Sequence, residues 1–143
     1  MKTFFLFLAF LFAFTVQTKA QFSLDKFLAE KVSKPDRNIE INLEKMLLGA
    51  VDAKIEKIPV KVVNSKLKDG RIVFKSISNA NIVVAEAKKL NDILKKKLLE
   101  LYGKPAKENV VNGVNNTLWK RTDGASVMLT YSGNMFMLVI MNN

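Results

Sequence analysis

Cysteine and histidine are both missing from this chain of 143 residues. Without Cys there is no disulfide staple, no thiolate nucleophile and no thiolate-held metal. Without His there is no imidazole base and no Ser-His triad, and the usual zinc sites lose their remaining ligand. Stability must then come from apolar packing. Arginine is scarce: among the 23 basic residues only Arg37, Arg71 and Arg121 are Arg. Lysine offers a point charge but not the planar fork that reads phosphate or carboxylate bidentately. The 6 Gly are scattered at turns and caps, so none builds a phosphate-cradling loop.

A long apolar run occurs once, from Phe4 to Phe14, rich in Phe and Leu. Met1-Lys2-Thr3 is a short basic start, and Thr18-Lys19-Ala20 ends the following polar stretch with small residues at its last and third-last positions. That layout predicts a cleavable secretory signal peptide over 1–20, too short to span a bilayer, with Gln21 as the new N-terminus. The expected location is therefore exported: periplasmic or extracellular after cleavage near Ala20. No later run is long enough for a transmembrane segment, and no Cys follows the cleavage site to carry a lipid. The formal net charge is +10, falling by two with Lys2 and Lys19. An exported basic protein can meet anionic lipid, polysaccharide or an acidic protein; a merely soluble Lys-rich surface is the plainer reading. The export signal and the scarcity of Arg weigh against nucleic acid.

From Gln21 to Asn143 the length suits a single globular domain, with 21–38 as a peripheral helix or arm. Ser23 caps a short helix with Leu24, Phe27, Leu28 and Val32 as its apolar stripe. Leu43, Met46, Leu47, Ala50, Val51, Ile55 and Ile58 recur at helical spacing up to Pro59, which predicts a second helix. Val60 to Leu67 and Arg71 to Ile77 are rich in β-branched residues around Asp69-Gly70, the signal of a hairpin. Ile82 to Ala85 fits a strand or the start of the next helix. Ala87, Leu90, Ile93, Leu94, Leu98 and Leu101 then form the clearest amphipathic stripe, closed by Gly103 and Pro105. Ala106 to Asn116, with its four Asn, reads as a loop. Three strands follow, over 117–121, 125–131 and 135–141, separated by turns at Asp123-Gly124 and Gly133-Asn134. The last is apolar throughout, so either both faces are covered or one meets a partner. The expected fold is α+β, in the order helix, helix, hairpin, helix, three-strand meander, with helices packed on one face of an antiparallel sheet.

Four constellations are candidates for function. Trp119, Tyr131 and Phe136 lie on adjacent predicted strands; an exposed arrangement would make a binding platform, while core packing is the commoner fate. Asn112, Asn115 and Asn116, with Asn109, add hydrogen-bonding groups beside Trp119 and complete the preferred ligand or partner surface. Lys88, Lys89, Lys95 and Lys96 form the polar face of the long helix, suited to an anionic surface, though a solvated face is the default for a packed helix. Met135, Met137 and Met141 share a strand face with soft thioether ligands, but Met more often fills gaps in cores; no metal and no cofactor are expected. Glu86, Glu100, Glu108 and Asp123 are the carboxylates from which an acid–base pair would be drawn, yet no spacing pairs them.

The run Leu98-Leu99-Glu100-Leu101-Tyr102-Gly103-Lys104-Pro105, followed by Trp119 and strands through Tyr131 and Ile140, resembles small exported proteins of Gram-negative bacteria. It is similar to envelope domains of the SmpA/OmlA class and to β-lactamase-inhibitor-type modules. The resemblance implies a helix packed on antiparallel strands and an accessory role in the envelope. It departs from the SmpA/OmlA class in lacking the lipid-bearing Cys. The expectation is a non-enzymatic binding or accessory protein of the cell envelope that recognises a protein or an anionic ligand, as a monomer or weak homodimer. The contrasting expectation is an exported carboxylate-dependent hydrolase, or a Lys-rich protein that associates with anionic lipid or glycan.

Overall fold

The computed structural model describes residues 22–35 and 49–142. The expected signal peptide, and the expected second helix as far as residue 48, lie outside the described residues. The described elements are α1 (Leu24–Ala29), β1 (Val51–Ile55), β2 (Ile58–Lys66), β3 (Ile72–Asn79), α2 (Val84–Tyr102), β4 (Lys107–Val111), β5 (Val114–Lys120), β6 (Ser126–Ser132) and β7 (Met135–Met141). The strands form one sheet in the order β1-β2-β3-β7-β6-β5-β4, and every neighbouring pair is antiparallel. Helices set against an antiparallel sheet make this an α+β fold.

Two expectations about element order are corrected. Residues 51–58 are not helical but form β1 and the entry to β2. Val51 and Ile55 are four apart, a spacing that fits one face of a helix and equally one face of a strand. The turn between the strands uses Glu56 and Lys57, both at positive φ (46° and 70°), without the Asn or Gly that would have signalled it. The stretch 106–116 is likewise not a loop. It is the hairpin β4–β5, turning at Asn112 and Gly113 with φ of 52° and 76°. Asn-Gly is the preferred pair where both turn residues need positive φ, and the surrounding Asn residues had masked it.

The β2–β3 hairpin, the meander β5–β6–β7 and α2 lie where the sequence places them. Pairing in register sets Val60, Ile77, Leu138, Leu129 and Ile140 on one sheet face, all buried in one core. Over it lies α2, burying Ala87, Leu90, Leu94 and Leu98. Each fully buried Leu is worth about 1.5–3 kcal/mol, so this stripe holds the helix down. Gly103 at φ 74° closes α2 and donates its N–H to Leu99 O. The first segment docks on the same core through Phe27, Leu28 and Val32. Ser23 accepts from Lys26 N and caps α1 as expected. On the opposite sheet face Val63, Phe74 and Ser76 are buried, and Met137, Val139 and Met141 are half-buried.

Candidate functional site: a polar groove between the long helix and the edge hairpin

Trp119 and Phe136 do not form an exposed platform. Trp119 is 1% exposed and Phe136 is fully buried, both beneath α2. The indole N–H donates to Gly103 O at 2.9 Å, which ties the end of α2 to β5. Tyr131 is half-buried against the same core. Period-two alternation put the three residues on one sheet face, but that face is the one α2 covers. Core packing thus took the aromatics, as it usually does.

The asparagines have a different fate. A groove of about 460 Å³ runs between α2 and β4–β5, lined by Asn91 and Lys95 from the helix and Glu108, Val110, Asn115 and Thr117 from the hairpin, with Leu129 at its floor. Asn109 and Asn116 also border it. Lys95 Nζ and Glu108 Oε1 pair across it at 3.1 Å. Asn115 and Asn116 are neighbours on a strand and point to opposite faces; Asn116 Oδ1 accepts from Thr130 Oγ1 at 3.0 Å on the far side. The side-chain amides of Asn91 and Asn115 have no hydrogen-bond partner among the described residues. Each offers two donors and an acceptor to whatever enters. Asn112 stands apart in the β4–β5 turn. Asn91 was not singled out from the sequence, where it reads as one more polar position on α2.

The lysines of α2 are at the surface as expected. Lys88 pairs with Asp92 at 3.1 Å, one helical turn on, while Lys89 and Lys96 are exposed and pair with no carboxylate among the described residues. Met135, Met137 and Met141 share one face of β7, but Met135 and Met141 stand at opposite ends of the strand, about 20 Å apart, so the three cannot converge on one ion. Met135 is 40% exposed and the other two are half-buried.

A second cavity, about 670 Å³, opens where α1 meets the end of α2 and the β5–β6 turn. It contains Asp25 and Asp123, each already tied. Asp123 takes Arg121 Nη2 at 2.7 Å on one oxygen and the Ala125 N–H at 3.0 Å on the other. Asp25 pairs with Lys97. Arg121 in turn donates to Leu28 O and Glu30 O, both at 3.1 Å, and Tyr102 Oη donates to Leu28 O at 3.2 Å. Burial pushes the Tyr102 hydroxyl above its ordinary value. These groups take the carbonyls left unpaired at the end of α1. Of the remaining carboxylates, Glu108 is held by Lys95, Glu100 is exposed, and Glu86 sits in the first turn of α2.

Among the described residues no helix is long and apolar enough to cross a membrane. Compared with family models, with curated proteins and with solved structures, the chain matches none.

Proposed function

We propose that this is an exported, non-enzymatic binding or accessory protein of the cell envelope, recognising a protein or an anionic ligand through the lysine face of α2 and the adjoining groove. The observation that carries the reading is the convergence in one groove of two unpaired amides and a Lys–Glu pair from three elements, beside a helix whose outer face is rich in lysine. Asn91 and Lys95 come from α2, Glu108 from β4 and Asn115 from β5, with Lys89 and Lys96 exposed on the same helix. Side-chain amides with free donors and acceptors read polar groups, and flanking cations raise the local concentration of anionic partners. The signal-like segment 1–20 supports an envelope setting.

The test is capture of partners from a detergent-free envelope extract on the immobilised chain, at low and high salt. The comparison is with the triple variant Lys88→Glu, Lys89→Glu, Lys96→Glu. Reversing three exposed charges leaves the buried stripe of α2 intact. Capture of a defined partner, weakened at least tenfold in the variant and partly retained at high salt, is the expected result. Equal capture by both proteins, or retention only of a mixture of acidic species at low salt, overturns it, because exposed charge alone is screened by salt.

A further inference from the structure

β4 is an edge strand, and all five of its residues are exposed, including Val110 at 67% and Val111 at 54%. Edge strands with free main-chain groups are templates for pairing unless something covers or bends them. Here the direction of those groups follows from the turn. Asn112-Gly113 is a two-residue hairpin turn flanked by Val111 and Val114. Residues flanking such a turn exchange both main-chain hydrogen bonds, and the pattern alternates along the ladder. Val111, Asn109 and Lys107 therefore turn their N–H and C=O towards β5, whereas Glu108 and Val110 turn theirs outward. The same two residues share the sheet face of Thr117 and Asn115, their partners in the ladder, so their side chains lie on the α2 side, beside the groove. The free main-chain edge and the free amides of Asn91 and Asn115 thus border one site.

The charge on and beside this edge is net positive, with Lys104 and Lys107 in excess over the Lys95–Glu108 pair. Glu108 is already taken by Lys95. Lys104 and Lys107 are exposed and have no carboxylate partner among the described residues. A second copy of the chain would bring the same two lysines and its own basic excess to the edge, so self-pairing is opposed by like charge. We infer that β4 accepts an extended segment of another protein that carries acidic side chains, paired as an eighth strand on Glu108 and Val110, with alternate side chains entering the groove beside Asn91, Lys95 and Asn115. Strand addition draws affinity from the main chain and specificity from alternate side chains. This inference rests on the binding reading above and names the chemistry of its partner.

Val110→Pro is the discriminating variant. It removes an outward N–H and leaves the β4–β5 ladder intact, since proline is tolerated on an edge where the N–H faces solvent. Val110→Thr keeps the N–H and the β-branched shape. The full chain and both variants are titrated with fluorescent eight-residue peptides of alternating Glu-Val, Lys-Val and Ser-Val. Amide hydrogen exchange is read at Glu108 and Val110. The expected result is tighter binding of the Glu-Val peptide than of the other two, slowed exchange at both amides, retention by Val110→Thr and at least a tenfold loss with Val110→Pro. Equal binding to Val110→Pro would overturn strand pairing while leaving the reading of an anion-binding surface in place. Preference for the Lys-Val or Ser-Val peptide, no binding of any peptide, or dimerisation of the free chain that Val110→Pro abolishes would overturn the acidic segment as occupant. Failure of the envelope capture, by contrast, removes the binding reading itself.

Discussion

Lys75 has no exposed surface. It stands on β3 within the core face, and its ammonium donates to Phe27 O, lies 4.0 Å from the Phe27 ring centroid and 3.4 Å from Glu30 Oε1. Burial pushes its pKa below the ordinary 10.5, and Glu30 draws it part of the way back. The sign of the consequence is fixed. Between the lowered value and 10.5 the unfolded chain holds the proton and the folded chain has released it, so stability rises with pH across that window. Denaturant unfolding at a series of pH values should show the rise, and Lys75→Met should flatten it. The variant should stay folded, within about 2 kcal/mol of the parent. An apolar chain of similar length removes the cost of a buried charge while losing one hydrogen bond and the ring contact. A rise undiminished in Lys75→Met would assign the effect to another group. Arg121 argues the same way at the other side of α1. Its three hydrogen bonds leave from two nitrogens of one planar fork, a spread that a single ammonium nitrogen does not match. Arg121→Lys should retain part, and Arg121→Ala little, of a contribution of roughly 2–3 kcal/mol. Amide exchange over residues 24–30 should quicken in the same order.

At the scale of elements the two unexpected hairpins separate what a turn needs from what it shows. β4–β5 carries Asn112-Gly113, the pair its geometry favours, and remained hidden because neighbouring Asn residues read as loop. β1–β2 carries Glu56 and Lys57 at positive φ, where a side chain costs about 1–2 kcal/mol relative to Gly. Lys57→Gly should therefore stabilise the protein, by roughly 0.5–1 kcal/mol after the added freedom of the unfolded chain is counted. A lower midpoint in urea for Lys57→Gly would mean that the Lys57 side chain contributes more than its backbone strain costs. The long helix was legible down to its cap, because six apolar residues at one period and a Gly-x-Pro stop leave little choice. Over residues 51–58 the expected second helix gives way to strand. The spacing of Val51, Ile55 and Ile58 satisfies helix and strand in part, and pairing with β2 selected the strand: Val51 opposite Val62, Ala53 opposite Val60.

For the whole molecule, one sheet divides two environments. The face beneath α1 and α2 buries Trp119, Phe136, Leu138 and Ile140 completely or nearly so. The other face leaves methionines graded by depth, with Met128 and Met135 at 39% and 40% exposure and Met137 and Met141 half-buried. Thioether oxidation follows access. Under dilute peroxide, peptide mapping should find Met128 and Met135 oxidised before Met137 and Met141, and oxidation in the reverse order would contradict this placement of the two faces.

The sequence by itself determined the mixed class, the long helix, the meander and the chemistry that is missing. Composition and single-element periodicity are local properties, and they were sufficient for those. It also assembled the right polar ingredients: Asn115, Lys95 and Glu108 were each visible in the sequence. Only the tertiary structure decided that Trp119 and Phe136 lie under a helix, that Asn115 and Asn116 face opposite ways, and that Asn91 joins the groove. It also placed β4 last in the sheet, with one row of main-chain groups turned outward. Those outcomes depend on strand order and on which face α2 covers. Both are fixed by contacts between segments far apart in the chain, which no local pattern encodes.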